Sequence, residues 1–197
     1  MALRTAILVG ITVVGILSAC SDNDDESRSG SLRAPVTPPV VNVVSLTPEG
    51  EEIIGGSCDP SSAVSRPNAW RCSADMIYDP CFSEADGGAE VICSTSAPWD
   101  AMGVRVILDE PLPTTQVGED ASKVWGIELS DGTRCSWLGG ATVTVEGARV
   151  NYGCGDDWFI VGSLRVEPPW IARLVQFPTA SEPPVESQDV PIVTVWR

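Results

Sequence analysis

The chain contains no histidine and a single lysine, Lys123, among its 197 residues. Without histidine there can be no Ser-His-Asp or Cys-His nucleophile, no histidine general base and almost none of the common zinc or haem sites. A serine–lysine pair would have to use Lys123, whose neighbour Ser122 faces the opposite side of any strand. The motifs G-x-S-x-G and G-x-x-x-x-G-K are also missing. We therefore predict no catalytic residue and no cofactor.

Basic residues are scarce throughout the chain. Lys and Arg number 12 against 27 Asp and Glu, which gives a formal net charge of −15. A chain this acidic repels the phosphate backbone. Nucleic acid is therefore excluded as a predicted partner.

The chain has one long apolar run, and this run is too short to cross a membrane. After Arg4, residues 5–19 carry no charge and end in two small residues. A stable membrane-spanning helix needs roughly 18 to 20 apolar residues, and the acidic segment 22–26 follows almost at once. These are the parts of a cleaved export signal, which we predict over residues 1–19.

The end of this signal carries a more specific pattern. The segment Leu17-Ser18-Ala19-Cys20 resembles the lipobox of bacterial lipoproteins, in which cleavage occurs before a cysteine that already carries a diacylglyceryl group. The resemblance implies that Cys20 becomes the first residue and is lipidated. The protein would then be held at the extracytoplasmic face of the cell membrane, with acyl chains contributing roughly 0.8 kcal/mol per buried CH2. The alternative is an ordinary secretory signal with a cysteine there by chance.

Composition divides the rest of the chain in two. Residues 20–39 are acidic and then rich in Ser, Arg and Pro, with only isolated apolar residues, which predicts a disordered tether. Residues 40–197 are numerous enough for one domain with its own core. We predict a single disulfide-stabilised β domain there.

The cysteines form an even set once Cys20 is set aside. An even number in an exported chain predicts disulfides. Zinc is the competing interpretation, but no C-x2-C pair occurs and no histidine could complete a mixed site. Spacing alone leaves the pairing open among the six residues Cys58, Cys72, Cys81, Cys93, Cys135 and Cys154.

Short β-branched and apolar runs dominate the domain and predict its fold class. All but the first of these runs follow a cysteine-rich section at 58–93, which we expect to owe its shape to disulfides. Such spacing predicts an all-β fold, a small antiparallel sandwich or barrel with little helix. A last strand at 190–196 should close the sheet, because Ile192 and Trp196 would be costly to expose. The other runs are 40–46, 104–108, 124–129, 133–138, 141–145, 148–152, 158–166 and 170–177.

Glycine-containing pairs predict the turns between these runs. Asp131-Gly132 predicts a two-residue type I′ hairpin, and Glu146-Gly147 is a weaker signal of the same kind. A regular meander with tight turns at 139–140 and at Glu146-Gly147 would set Cys135 opposite Thr144. Cys154 would then lie too far along its strand to reach Cys135. If these two cysteines are bonded, the chain between them must leave the sheet as an excursion.

Several segments together resemble uncharacterised six-cysteine secreted proteins and lipoproteins of actinobacteria, over roughly residues 57–170. This resemblance implies no activity. It implies that Cys135 pairs with Cys154, because both lie in matching segments. The segments are Ala69-Trp70-Arg71-Cys72, Ile77-Tyr78-Asp79-Pro80-Cys81-Phe82, Trp125-Gly126-Ile127-Glu128-Leu129, Asp131-Gly132-Thr133-Arg134-Cys135 and Val150-Asn151-Tyr152-Gly153-Cys154.

Carboxylates are the side chains left for chemistry. Asp75 with Asp79, and Asp156 with Asp157 beside Trp158, could bind calcium or act as an acid–base pair on a glycan. Both groups also have the composition of turns, since Asp79 precedes a proline and Asp156 follows a glycine. The turn interpretation is favoured, and we predict no metal.

Tryptophan is the most abundant aromatic residue, with seven copies. Most should fill the core, because there are few phenylalanines and tyrosines to do so. Trp99 and Trp158 adjoin loop residues, so we expect both to be partly exposed. Together with Asp156 and Asp157 they are the predicted ligand-binding residues.

These features predict a lipid-anchored protein of the cell envelope. We expect a non-catalytic binding or structural module whose partner is an envelope protein, a glycan or a small ligand. The alternative is a carboxylate-dependent envelope hydrolase, for example one acting on a glycan. It requires two of the named aspartates within about 10 Å of each other in a cleft.

Overall fold

A computed structural model of the protein describes residues 39–114, 120–140, 142–177 and 186–197. All of them belong to one compact unit, Pro35–Arg197. The predicted signal, Cys20 and residues 21–38 of the predicted tether lie outside the described residues, as does Ala141 of a predicted strand. Within the described ranges there is no helix that could span a membrane.

The described residues form fourteen strands and no α-helix, so the all-β prediction is confirmed. The strands are β1 Val40–Asn42, β2 Thr47–Pro48, β3 Ile53–Asp59, β4 Ala69–Ser73, β5 Ile77–Phe82, β6 Gly88–Ser94, β7 Met102–Leu112, β8 Gly126–Leu129, β9 Arg134–Trp137, β10 Thr144–Val145, β11 Ala148–Gly153, β12 Trp158–Val161, β13 Ile171–Gln176 and β14 Glu186–Trp196.

The strands from β3 to β7 close into a barrel. They pair in chain order, and β7 is long enough to pair with β6 on one side and β3 on the other. Trp70, Val91 and Val106 are buried inside it together with three of the cysteines, and Cys58 packs half-buried against them. The cysteine-rich section, expected to owe its shape to disulfides, therefore also has a hydrophobic core of its own.

A second barrel contains β8, β9, β11, β12, β13 and β14. Strand β14 closes it by pairing with β13 over residues 186–191 and with β8 over residues 192–196. This strand starts four residues earlier than the predicted 190–196, because the polar residues 186–189 also pair with β13. Ile192 and Trp196 are 4% and 7% exposed, as their apolar side chains predicted.

Three strand pairings among the described residues are parallel, although the predicted sheet was antiparallel. They are β1 with β14, β2 with β7, and β3 with β7. The first two arise because the segment 40–48 runs along the edges of both barrels. Parallel pairing joins segments that are distant in sequence, so no local turn pattern predicts it.

A shared apolar cluster joins the two barrels. Val64 and Ala69 from the first barrel pack with Trp125 and Trp196 of the second. Phe82 of β5 meets the Trp125 ring edge-to-face, with centroids 6.1 Å apart. The junction is therefore as well buried as the interior of either barrel.

All six cysteines of the even set form disulfides, Cys58–Cys72, Cys81–Cys93 and Cys135–Cys154. The first two join residues that lie opposite each other on neighbouring strands. The sulfurs of Cys72, Cys81 and Cys93 lie within 4.8 Å of one another, but bonded sulfurs offer no thiolate to a metal. The disulfide prediction is confirmed, and so is the pairing that the resemblance implied.

The chain between Cys135 and Cys154 makes the expected excursion. Strand β9 pairs directly with β11, with Trp137 opposite Tyr152. Residues 138–140 and 142–147 therefore leave the barrel, and β10 pairs only with β11. The direct pairing of β9 with β11 brings Cys135 next to Cys154, the residue that follows β11.

The predicted hairpin between β8 and β9 exists, but its turn type differs from the prediction. The amide of Gly132 donates to the carbonyl of Leu129 at 2.9 Å, and only Gly132 in this loop has a positive φ, +87°. A type I′ turn needs positive φ at both central residues, so this is a three-residue loop with a glycine bulge. At Glu146-Gly147 both φ values are positive, 51° and 82°, which fits the two-residue type I′ turn.

Candidate ligand-binding cleft

A cleft of about 1190 Å³ lies where the two barrels meet. One wall comes from the first barrel and contains the loop 61–63, Arg71 of β4 and Asp79 of β5. The connection between the barrels contributes residues 120–123, except Ala121. The other wall comes from the second barrel and includes Trp137, Arg149 and Tyr152, together with Asn151 and residues 162–164.

Asp79 holds the loop 61–63 against the first barrel. Its carboxylate accepts hydrogen bonds from the Ser62 hydroxyl at 2.8 Å and from the Ala63 amide at 2.9 Å. Burial raises the pKa of Asp79, and these hydrogen bonds and the charge of Arg71 offset only part of that effect. The carboxylate thus serves first as an anchor for this wall.

Asp120 shapes the connection between the barrels. Its carboxylate accepts hydrogen bonds from the Ser122 amide at 3.0 Å and the Ser122 hydroxyl at 2.6 Å. These hydrogen bonds lower the pKa of Asp120. The Asp120 amide in turn donates to the Ser65 hydroxyl at 2.9 Å, which ties the connection to the first barrel.

Arg149 is held rigidly in the opposite wall. Its guanidinium lies over the Trp137 ring, 4.7 Å from the centroid. It donates to the carbonyls of Leu138 and Gly140 at 2.8 and 3.1 Å and to Asn151 Oδ1 at 2.6 Å. These bonds hold the start of the excursion against β11, and they leave the charged group at the cleft surface.

Tyr152 joins this wall to the connection. Its ring is 2% exposed and packs edge-to-face against Trp137, with centroids 5.4 Å apart. Its hydroxyl donates to the Val124 carbonyl at 2.9 Å. Burial raises the pKa of the Tyr152 phenol. The cleft therefore has walls that are tied to each other through buried hydrogen bonds.

The basic side chains of the cleft form no ion pair within the described part of the chain, although the charges of Arg71 and Lys123 favour the ionised forms of Asp79 and Asp120. Arg71, Lys123 and Arg149 line the cleft, and none forms an ion pair with a described carboxylate. Their spacing in the sequence hides this grouping, because they come from β4, the connection and β11. The one available signal was that Lys123 is the only lysine.

The predicted carboxylate groups are not brought together in the cleft. Of the four aspartates, only Asp79 lines it. Asp75 accepts a hydrogen bond from the Tyr78 hydroxyl at 2.9 Å. Asp156 and Asp157 form the exposed turn between β11 and β12, with φ values of 45° and 65°.

The two predicted ligand-binding tryptophans also lie away from the cleft lining. Trp158 is half-buried and packs against the core of the second barrel. Trp99 is half-buried too, edge-to-face with Trp196 at 5.6 Å, and the Arg134 guanidinium lies 5.7 Å from its ring. Sequence reasoning missed Trp137, the tryptophan that does line the cleft.

No family of known proteins, no curated protein and no solved structure matches the chain. Its function therefore has to be inferred from the cleft and from the amino-terminal segment.

Proposed function

We propose that this protein is a lipid-anchored, non-catalytic binding module of the cell envelope, whose ligand occupies the cleft between the two barrels. The observation that carries the proposal is the cleft itself, at about 1190 Å³. Ligand pockets typically measure roughly 300 to 1,000 Å³ and combine apolar walls with a few fixed polar groups. The stacked Arg149 and the anchored Asp79 are polar groups of this kind.

The amino-terminal segment supports the location. The lipobox-like segment ending in Cys20 fits an anchor, and residues 20–39 have the composition of a flexible tether. A flexible chain of about 20 residues has a root-mean-square span of about 25 Å. The domain would therefore reach ligands just beyond the membrane surface.

A carboxylate-dependent hydrolase is the second candidate, and one observation favours it. Asp79 and Asp120 both line the cleft, and their pKa values are shifted in opposite directions. Such a separation is typical of an acid and a base that work together. Against it, both oxygens of Asp79 and one oxygen of Asp120 already accept hydrogen bonds from Ser62, Ala63 and Ser122.

Hydrolysis can be tested by incubating the protein with glycans from its own envelope and measuring new reducing ends. The binding proposal expects none above background. If the unaltered protein produces new reducing ends and both Asp79→Asn and Asp120→Asn abolish them, the hydrolase replaces the binding proposal.

The anchor is tested by growing cells with an alkyne-labelled fatty acid. We expect the label on the unaltered chain and none on Cys20→Ala. Label that survives this substitution contradicts anchoring at Cys20.

The cleft is tested by crosslinking the anchored protein in its own envelope, capturing it and analysing the attached material by mass spectrometry. Gly139 lines the cleft, and a Cβ atom added there meets no atom within 4 Å. Gly139→Trp should therefore place an indole at the cleft surface, obstruct the bound ligand and reduce its capture. Glu110→Trp, at an exposed position of β7 that is not in the cleft lining, is the control and should retain it. Identical capture by both variants contradicts a ligand in the cleft.

A further inference from the structure

We propose that the cleft binds an oxyanion, the carboxylate or phosphate group of an organic ligand, through Arg71, Lys123 and Arg149. This inference rests on the proposed binding function and specifies the chemistry of the ligand. It starts from the distribution of charge. Acidic residues outnumber basic ones by 27 to 12 in the chain, yet the cleft lining contains these three basic residues and two acidic ones, Asp79 and Asp120.

The two acidic groups of the cleft already accept hydrogen bonds from neighbouring segments. Both oxygens of Asp79 accept from Ser62 or Ala63, whereas Asp120 accepts from the Ser122 amide and hydroxyl through Oδ1 alone. These hydrogen bonds form without any ligand. The acceptor capacity of Asp79 is therefore largely used, and the lining has one more basic residue than acidic residues.

Two of the basic side chains, in contrast, have no partner among the described residues that occupies their donors. The side chains of Arg71 and Lys123 form no hydrogen bond and no ion pair with the residues that the structure describes. Four other described arginines pair with a carboxylate, as Arg105 does with Glu90 at 3.2 Å and Arg173 with Glu146 at 2.8 Å. Arg66 and Arg197, which lie outside the cleft lining, form no such pair within the described ranges. Arg71 and Lys123 are thus two basic side chains that line one cleft and have no hydrogen bond or ion pair within the described chain.

Arg149 adds a cation that is already in position. Three of its five N–H groups donate to Leu138, Gly140 and Asn151, and its plane lies on Trp137. Nε–H and one Nη1–H remain without an acceptor among the described residues. Because the side chain is already ordered, little conformational entropy is lost when an anion binds.

The three cations come from different parts of the chain, which favours a ligand that spans the cleft. Arg71 lies on β4 of the first barrel, Lys123 on the connection and Arg149 on β11 of the second barrel. Hydrogen bonds from charged donors to an oxyanion are about twice as strong as neutral ones. A neutral ligand would leave the donors of Arg71 and Lys123 without this gain.

The test measures binding to the full-length lipidated chain in detergent by titration calorimetry. Two pairs of probes share a skeleton and differ in charge, glucuronate with its methyl ester and glucose 6-phosphate with glucose. We expect at least one anionic probe to bind and its neutral counterpart to bind at least tenfold more weakly. The pair that responds tells whether a carboxylate or a phosphate is preferred. Binding should also weaken as salt rises from about 0.05 M to about 0.5 M.

Variants connect this binding to the cleft. Arg71→Gln and Lys123→Gln should each weaken binding of the anionic probe about tenfold, because each removes one charge-assisted hydrogen bond. Lys123→Arg, which keeps the charge, should bind within about threefold of the unaltered chain. Arg165→Gln is the matched control, because Arg165 is exposed, pairs with Asp189 and does not line the cleft.

The results separate this inference from the function it rests on. The oxyanion site is overturned if charged and neutral probes bind equally well, or if no anionic probe binds. It is also overturned if Lys123→Gln and Arg165→Gln bind the anionic probe with the same affinity. If Gly139→Trp nevertheless abolishes capture from the envelope, the binding function stands with a different ligand. If that variant captures normally, the cleft function fails as well.

Discussion

Buried polar side chains around the cleft act as links between segments that are distant in sequence. Asp79 holds Ser62, 17 residues away, and the Tyr152 hydroxyl holds the carbonyl of Val124, 28 residues away. A buried polar group is costly when its partner is removed, because it then lacks both water and a hydrogen bond. Changes of a few atoms at these positions should therefore have measurable effects.

Tyr152→Phe removes one such link. It leaves the Val124 carbonyl without the phenol, so the free energy of unfolding at pH 7 should fall by about 1–3 kcal/mol. Burial raises the pKa of the phenol above its usual 10, so the unaltered chain loses stability as pH rises above 10. Denaturant unfolding at several pH values should show the two proteins converging above pH 10. A difference in the free energy of unfolding that stays constant above pH 10 would contradict the raised pKa.

Asp79→Asn tests the cost of burying a carboxylate. The pKa of Asp79 is higher in the folded chain than its usual 3.8, mainly because of burial, so the folded state holds the proton more tightly. The stability of the unaltered chain relative to Asp79→Asn should then fall as pH rises through 3.8 and level off above the folded pKa. Urea unfolding of both proteins across this range measures the difference. A difference that grows with pH would mean that the hydrogen bonds outweigh burial.

At the scale of strands, two segments approach each other closely at the barrel junction because one of them has a glycine there. Gly126 begins β8 and lies against Pro98, which follows β6 in the first barrel. A Cβ atom at Gly126 would lie 2.2 Å from Pro98 Cγ. Pro98 is itself fully buried, so it has little room to move.

Gly126→Ala should therefore destabilise the protein by about 1–3 kcal/mol, the usual cost of overpacking. Gly139→Ala is the matched control, because a Cβ atom there meets nothing within 4 Å and its φ is not in the left-handed region. Thermal unfolding of the two variants compares the cost directly. Equal melting temperatures would show that the junction can adjust.

At the scale of the whole molecule, two closed barrels share one apolar junction. Val64 and Ala69 pack with Trp125 and Trp196 across it, and all four side chains are buried. Large aromatic side chains contribute strongly to such contacts. The barrels should therefore depend on each other for stability.

This dependence predicts a single unfolding transition. Hydrogen exchange by mass spectrometry, at rising denaturant, should give the same midpoint for β6 in the first barrel and β13 in the second. Separate midpoints would show that each barrel folds alone. Ala69→Asp, which places a charge in the junction, is expected to lower both midpoints together.

Local patterns determined the fold class, an even set of bonded cysteines, the β8–β9 hairpin and the burial of Ile192. Each of these depends on a residue and its near neighbours, or on the cost of exposing one apolar side chain. The same patterns gave a wrong turn type for Asp131-Gly132, because a two-residue and a three-residue loop use the same glycine.

Only the tertiary structure decided how the strands close and what lies between the barrels. Strand β14 changes its partner from β13 to β8 at Pro191 within one continuous run. A proline inside a strand indicates an interrupted ladder but does not tell which strand pairs beyond it. The cleft follows from this closure, because Arg71, Lys123 and Arg149 meet only once both barrels exist. Period-two patterns tell which face of a strand is buried, whereas the choice of partner depends on the packing of the entire chain.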